Sequence, residues 1–183
     1  MKRLLLPIAA TLVGGAFLAL LIYGVAHQAP NRSIDQALAD GQQPVAPHPR
    51  EAFPVLYGGS GERSLAAYRG RVVVLNFWAS WCPPCQAEAP TMERLQHQLE
   101  RHHATVLGID DLDVSSESLE FIHSHHLTYP DLRDGSGEYA HLYGTDQLPE
   151  SFLIDPAGRI TAAVRGEIDQ AFVQRAVHLA ASA

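Results

Sequence analysis

The sequence predicts an α/β protein: a three-layer α/β/α sandwich around a mixed central sheet, preceded by one N-terminal transmembrane helix. Three observations carry that prediction. Residues 71–78 (RVVVLNFW) form a continuous apolar, β-branched run, the pattern of a central strand buried on both faces. Helical periodicity follows directly and then alternates with further strand-like runs. Finally, Asp155-Pro156-Ala157-Gly158 joins two short apolar runs and is a strong turn signal.

Residues 4–26 are uncharged throughout. As a helix this stretch would be roughly 34 Å long, enough to span a hydrocarbon core. A cleavable signal has a shorter apolar region of about 7–15 residues, which favours a retained anchor; Gly24 and Ala26 also fit a small-x-small cleavage site. Lys2 and Arg3 precede the run, so the positive-inside rule places everything after residue 27 on the extracytoplasmic, periplasmic side. Residues 27–50 read as a flexible linker, punctuated by Pro30, Pro44, Pro47 and Pro49, with one or two helical turns over residues 33–40.

Residues 51–183 then form one domain. Strands are expected at 53–57, 71–78, 105–109, 151–154 and 159–164. Short helices are expected at 64–68, capped by Ser64, and at 138–143, ended by Gly144. Longer ones are expected at 82–102, at 116–126 with Ser115 or Ser116 as cap, and at 168–180. In the helix over 82–102, Ala87, Met92, Leu95 and Leu99 recur at near-helical spacing.

Composition excludes several functions. Apolar residues make up 46% and charged residues 18%, so the body can bury an ordinary core. Beyond residue 27 eleven bases face twenty acids, a net charge of −9, which argues against a nucleic-acid binder. Two cysteines exclude a disulfide-stapled mini-domain and an all-cysteine zinc site.

Both cysteines lie in Trp81-Cys82-Pro83-Pro84-Cys85, after a buried strand and at the head of a helix. Cysteines at i and i+3 on a first helical turn bridge with little distortion. The first sits beside the unpaired N–H groups and positive end of the helix, which favours its thiolate. Cys82 is therefore the expected nucleophile, and Cys85, one turn in, the resolving thiol. Pro83 fits N1, where a missing N–H costs nothing, and the two prolines stiffen the loop. Three other readings compete. A four-residue structural ring constrains the unfolded chain little. Half of a metal site, with histidines from elsewhere, would give a copper-binding role. A peroxidatic cysteine needs a hydroxyl residue three positions earlier, where this chain has Ala79.

The segment VVVLNFWASWCPPC (72–85) resembles the active-site strand and CxxC of thioredoxin-fold proteins. Pro90 matches the proline within the active-site helix of that family. Leu148-Pro149-Glu150-Ser151-Phe152-Leu153-Ile154-Asp155 resembles the segment carrying the cis-proline that faces the CxxC. With the N-terminal run, the chain is similar to the membrane-anchored extracytoplasmic reductases of the ResA/TlpA-like, CcmG/DsbE-like group. The resemblance covers about residues 51–180.

That resemblance implies a thioredoxin-like fold and a thiol–disulfide oxidoreductase. It needs no cofactor beyond the redox-active Cys82–Cys85 disulfide, and no metal. Pro149 is the expected cis-proline. Leu148 would offer backbone groups to an extended substrate chain, and Trp81, Pro83 and Pro84 would shape the docking surface. Asn76 stands where cytoplasmic thioredoxin has a buried Asp and cannot accept a proton at neutral pH. Glu88, one helical turn after Cys85, matches the acid of the ResA-like site and would take the Cys85 proton; an exposed helix-surface Glu is the alternative. Glu150 either tunes the thiols or meets substrate, or is a solvated residue at the start of a strand. The implied partners are a disulfide-bearing protein, with apocytochrome c first and copper-site cysteines of an oxidase subunit second, and a membrane thiol transporter as electron donor. A disulfide-forming oxidant and a non-enzymatic copper chaperone are the rival readings. His123, His125 and His126 read as helix-end residues, and Asp110, Asp111 and Asp113 as a solvated loop.

Overall fold

The computed structural model describes residues 14–20 and 33–183. The chain divides into two units, Met1–Pro30 and Asn31–Ala183. In the first, residues 14–20 are helical, and the remainder of the expected anchor lies outside the described residues. Among the described residues no helix is long and apolar enough to cross a membrane.

The second unit contains α1 (Ser33–Ala39), β1 (Phe53–Tyr57), β2 (Glu62–Arg63), β3 (Val73–Trp78), α2 (Pro83–Leu99), β4 (Thr105–Asp111), α3 (Ser115–Ser124), β5 (Asp131–Asp134), α4 (Glu138–Leu142), β6 (Glu150–Ile154), β7 (Ile160–Arg165) and α5 (Gln170–Ser182). The seven strands form one sheet in the order β2-β1-β5-β4-β3-β6-β7. Strands β3, β4 and β5 run parallel, whereas β6, β7, β1 and β2 join antiparallel, which makes the sheet mixed.

Strand β3 is buried along its whole length, as its apolar run predicts. Period-two alternation divides its side chains between two cores. Val74 and Trp78 join the cluster under α2, α3 and α5, with Met92, Phe121 and Phe172. Val73, Leu75 and Phe77 join the opposite cluster, with Ile34 of α1, Tyr139 of α4 and Tyr143. The turn after β6 closes as its sequence requires: Asp155 Oδ1 accepts from Arg159 N–H at 2.8 Å and Gly158 takes φ 76°. Asp169 caps α5 by accepting from Phe172 N–H at 2.8 Å.

Several expectations are corrected. The strand Asp131–Asp134 is an addition to the expected set, because Asp-Leu-Arg-Asp carries a single apolar residue. Ser64 occupies its N-cap position without a side-chain bond, and α3 begins after Val114 rather than at a capping serine. The flexible linker is corrected over 33–50, which fold as part of the second unit. Ile34 and Ala46 are buried, Ile160 N–H donates to Pro44 O at 2.8 Å, and Val45 bridges Arg159 of the β6–β7 turn. Prolines punctuate a chain lying along a sheet edge as readily as a free linker, because neither needs every N–H.

Candidate active site

Parallel β3 delivers the chain to the C-terminal edge of the sheet, where residues 79–81 turn into α2. Two bonds hold that turn: Ser80 N–H donates to Asp113 Oδ2 at 2.5 Å, and Gln86 Nε2 donates to Ser80 O at 2.9 Å. Cys82 is the N-cap of α2 and Pro83 follows at the first helical position. The cysteines form a disulfide, with Cα atoms 5.3 Å apart. Cys85 N–H donates to Cys82 Sγ at 3.2 Å, so a free N–H of the first helical turn is aimed at the sulfur expected to be nucleophilic. Both cysteines are buried; Trp81 beside them is 58% exposed, and Pro83 and Pro84 are exposed.

The Leu148–Pro149 peptide bond is cis. Register pairs Phe77 with Glu150, so Pro149 lies at the start of β6 next to the end of β3, where the CxxC loop begins. Leu148 is half-buried and packs on the cluster that contains both cysteines. Trp78 is core: its ring stacks on Phe121 with centroids 4.5 Å apart, and its Nε1 donates to Asp131 Oδ1 at 2.7 Å.

Glu88 is buried, not a surface residue. Its Oε1 accepts from Ile168 N–H at 2.7 Å and its Oε2 from Asn76 Nδ2 at 3.1 Å. Asn76 Nδ2 also donates to Ser151 Oγ at 3.1 Å. Burial pushes the Glu88 carboxyl up to about 7, against the opposing pull of these two donors. Cys85 and Glu88, with Asn76, Trp78 and Tyr129, line one cavity of about 10 Å³. That is about the volume one water needs.

Two expectations at the site are corrected. Glu150 is 1% exposed and ion-paired to Arg165, so it is not a solvated residue at the start of a strand. Arg165 also bonds Asp35 of α1 at 3.0 Å and Tyr143 O at 3.1 Å, and lies 4.9 Å above the Phe152 ring. The Asp110, Asp111 and Asp113 group is buried rather than solvated. Parallel β4 and β5 end together there: Ser118 Oγ donates to Asp110 Oδ1 at 2.9 Å, and Asp113 accepts from Ser80 and Val114 N–H groups. The histidines do lie at helix ends. His125 Nδ1 meets Phe121 O at 3.0 Å, and His103 and His126 take left-handed conformations just past helix termini. Among the described residues no group of three or more His, Cys, Asp and Glu is arranged to hold a metal ion. Asp131 and its bond to Trp78 lie beyond sequence reasoning: a lone Asp after Tyr129-Pro130 carries no signal of burial.

These features define a thioredoxin-like α/β protein bearing a Cys-x-x-Cys disulfide at the head of a helix. The chain belongs to the AhpC/TSA family, which it matches over residues 48–163. It is 33% identical over 103 residues to the thiol-disulfide oxidoreductase ResA of Bacillus thuringiensis subsp. konkukian, covering 56% of this chain and 60% of that protein. It is 41% identical over 90 residues to a thiol:disulfide interchange protein DsbE homolog of Paracoccus denitrificans, covering 49% of this chain and 48% of that protein. The chain thus spans less than two thirds of the length of these curated relatives. Among solved structures, a DsbF homologue from Corynebacterium diphtheriae superposes with a TM-score of 0.64 at 26% identity, covering 76% of this chain and 88% of that one.

Proposed function

We propose that this chain is an extracytoplasmic thiol–disulfide oxidoreductase acting as a reductant of protein disulfides. The observation that carries the reading is the shared cavity of Cys85 and Glu88, a resolving cysteine beside a buried carboxyl whose proton is in play near neutral pH.

In the reduced chain, the Cys82 thiolate, stabilised by the Cys85 N–H and the helix terminus, attacks one sulfur of a substrate disulfide. A Cys82–substrate disulfide forms and the first substrate thiolate leaves. The Cys85 thiol gives its proton to the Glu88 carboxylate, across the cavity or through one water. The Cys85 thiolate then attacks Cys82 Sγ. The Cys82–Cys85 disulfide forms and the second substrate thiolate departs, taking a proton. The substrate gains two electrons and the enzyme loses two. Trp81, Pro83, Pro84, Leu148 and Pro149 form the surface on which an extended substrate segment docks.

Apocytochrome c is the first substrate to try, and a membrane thiol transporter the expected electron donor. The uncharged run at 4–26 behind Lys2 and Arg3 supports tethering at the extracytoplasmic face of a membrane. The test is the equilibrium reduction potential of the full chain against a dithiothreitol series. A value near or below about −230 mV fits a reductant, and one near about −120 mV would make the protein an oxidant and overturn the proposed direction.

A further inference from the structure

Adjacent strands β4 and β5 bury more acid than the exchange reaction uses. Asp131 is fully buried; Trp78 Nε1 donates to its Oδ1 at 2.7 Å, and its Oδ2 has no partner. Asp110, on the adjacent strand and equally buried, receives Ser118 Oγ on Oδ1 and likewise has an unpartnered Oδ2. Register sets Asp131 opposite Gly108, two residues before Asp110 on the same face of β4. Gly108 is what admits the arrangement, because a Cβ there would lie 1.6 Å from Asp131 Oδ1 and 2.9 Å from Trp78 Nε1. The indole clamped in this way borders the cavity shared by Cys85 and Glu88. Trp78 is therefore the partition between a buried acid pair and the thiol site.

Two desolvated carboxyls on neighbouring strands, each with a bare oxygen, oppose one another's ionisation. The remaining groups around Asp131 are few. Tyr57 of β1 pairs with it in register, Tyr129 precedes it, and Arg133 follows it and donates to Asp113 O at 3.1 Å. Glu88 and Glu93 of α2 face Tyr129 rather than Asp131 itself, while α3 brings His125 onto Phe121 and His123 onto Tyr57. Asp110 is the charge that acts on it most directly.

We propose that Asp131 is a positioning residue for the exchange reaction: as a neutral acid it fixes the Trp78 indole as the wall of the Cys85–Glu88 cavity, and on ionising it sets a buried negative charge behind that wall which opposes the Cys85 thiolate. The proton lost goes to bulk water, and no other reactant is needed. Burial pushes Asp131 up to about 8, with Trp78 pulling down and Asp110 pushing up, whereas Glu88 stands at about 7. Glu88 accepts from two donors whereas Asp131 accepts from one and keeps a bare Oδ2, so as pH rises the base is released before the opposing charge appears. The exchange rate climbs through the first ionisation and falls through the second, a bell-shaped profile.

The inference rests on the proposed exchange reaction, so its test has one readout independent of it. In the oxidised full chain carrying Trp81→Phe, Trp78 is the sole tryptophan. Its fluorescence should step between pH 5 and 10 with a midpoint near 8. Adding Asp131→Asn should abolish the step, and adding Asp110→Asn should move it to lower pH. A step that survives Asp131→Asn, or one unmoved by Asp110→Asn, overturns the proposal. In chains with Trp81 intact, Asp131→Asn should keep the acid limb of disulfide exchange and lose the alkaline fall, running several-fold faster than the parent at pH 9. An unchanged alkaline limb also overturns it. If the parent chain exchanges no disulfide at any pH, the proposed function fails instead. Should Asp131→Asn not fold, the Asp110→Asn shift still decides the matter.

Discussion

Asn76 donates a hydrogen bond to Glu88 from the strand position where cytoplasmic thioredoxin carries an acid, at a distance of 3.1 Å. The acid has in effect moved from β3 to the facing helix, and the strand has kept a donor that steadies its charged form. Replacing Asn76 with Asp reverses that relation. The Asn76→Asp chain should show the acid limb of its exchange profile displaced upward by ~1 pH unit or more, because a like charge disfavours ionisation of Glu88. A stopped-flow pH series on parent and variant reads this directly, and a limb that does not move contradicts the assignment of Glu88 as base.

The division of labour between the cysteines is open to trapping. Cys85→Ala should accumulate a Cys82–substrate disulfide visible on a non-reducing gel, since nothing resolves it. Cys82→Ala should accumulate none. Equal trapping by both would sink the separation into nucleophile and resolving thiol.

Stability should run against the usual trend with pH. Burial raises Glu88 and Asp110 to about 7, Asp111 to about 6 and Asp131 to about 8. Carboxyls raised on folding bind more protons in the native than in the unfolded state between the ordinary carboxylate range and those values. Their contribution is full below pH ~4 and is lost as pH rises toward 8, at up to ~1.4 kcal/mol per pH unit for each proton. Calorimetry of the oxidised chain should give a Tm that falls from pH 5 to pH 8.5, with a shallower fall in Asp131→Asn. A Tm that rises over that interval would mean these acids are ionised in the native state.

Arg165 is the charged partner that accompanies Glu150 inside the protein. Arg165→Met leaves a buried carboxyl unpaired and should cost roughly 3–5 kcal/mol in denaturant unfolding. Asp35→Asn removes the more exposed partner of the same guanidinium and should cost at most ~1 kcal/mol. Equal losses in the two variants would place the burden on α1 rather than on the buried pair.

The parts of the fold legible in the sequence are β3, α2 and α5, written in apolar pattern, and the β6–β7 turn, written in turn residues. The site is legible where spacing decides neighbourhood, as with Cys82 at the N-cap of α2 and with Cys85 and Glu88 one turn apart within it. What escapes is polar burial. Strand β5 goes unassigned, because its acids find their partners elsewhere: Asp131 bonds Trp78, 53 residues away, through one oxygen, and Asp134 accepts from the backbone N–H groups that open α4. Glu150 escapes for the same reason, its partner Arg165 lying across the β6–β7 hairpin. No window of local sequence carries such pairings.

The arm over residues 33–50 bears on where this protein can be cut. A recombinant boundary drawn at residue 51, ahead of the first strand, would strip Ile34 and Ala46 from the core, the Pro44 and Ala46 bonds from the β6–β7 edge, and Asp35 from Arg165. Through that guanidinium α1 shares a partner with the strand that follows Pro149. Its amides should therefore exchange with deuterium at the pace of the domain's cooperative unit rather than as a fraying end. A fragment that keeps the unit whole begins at Asn31.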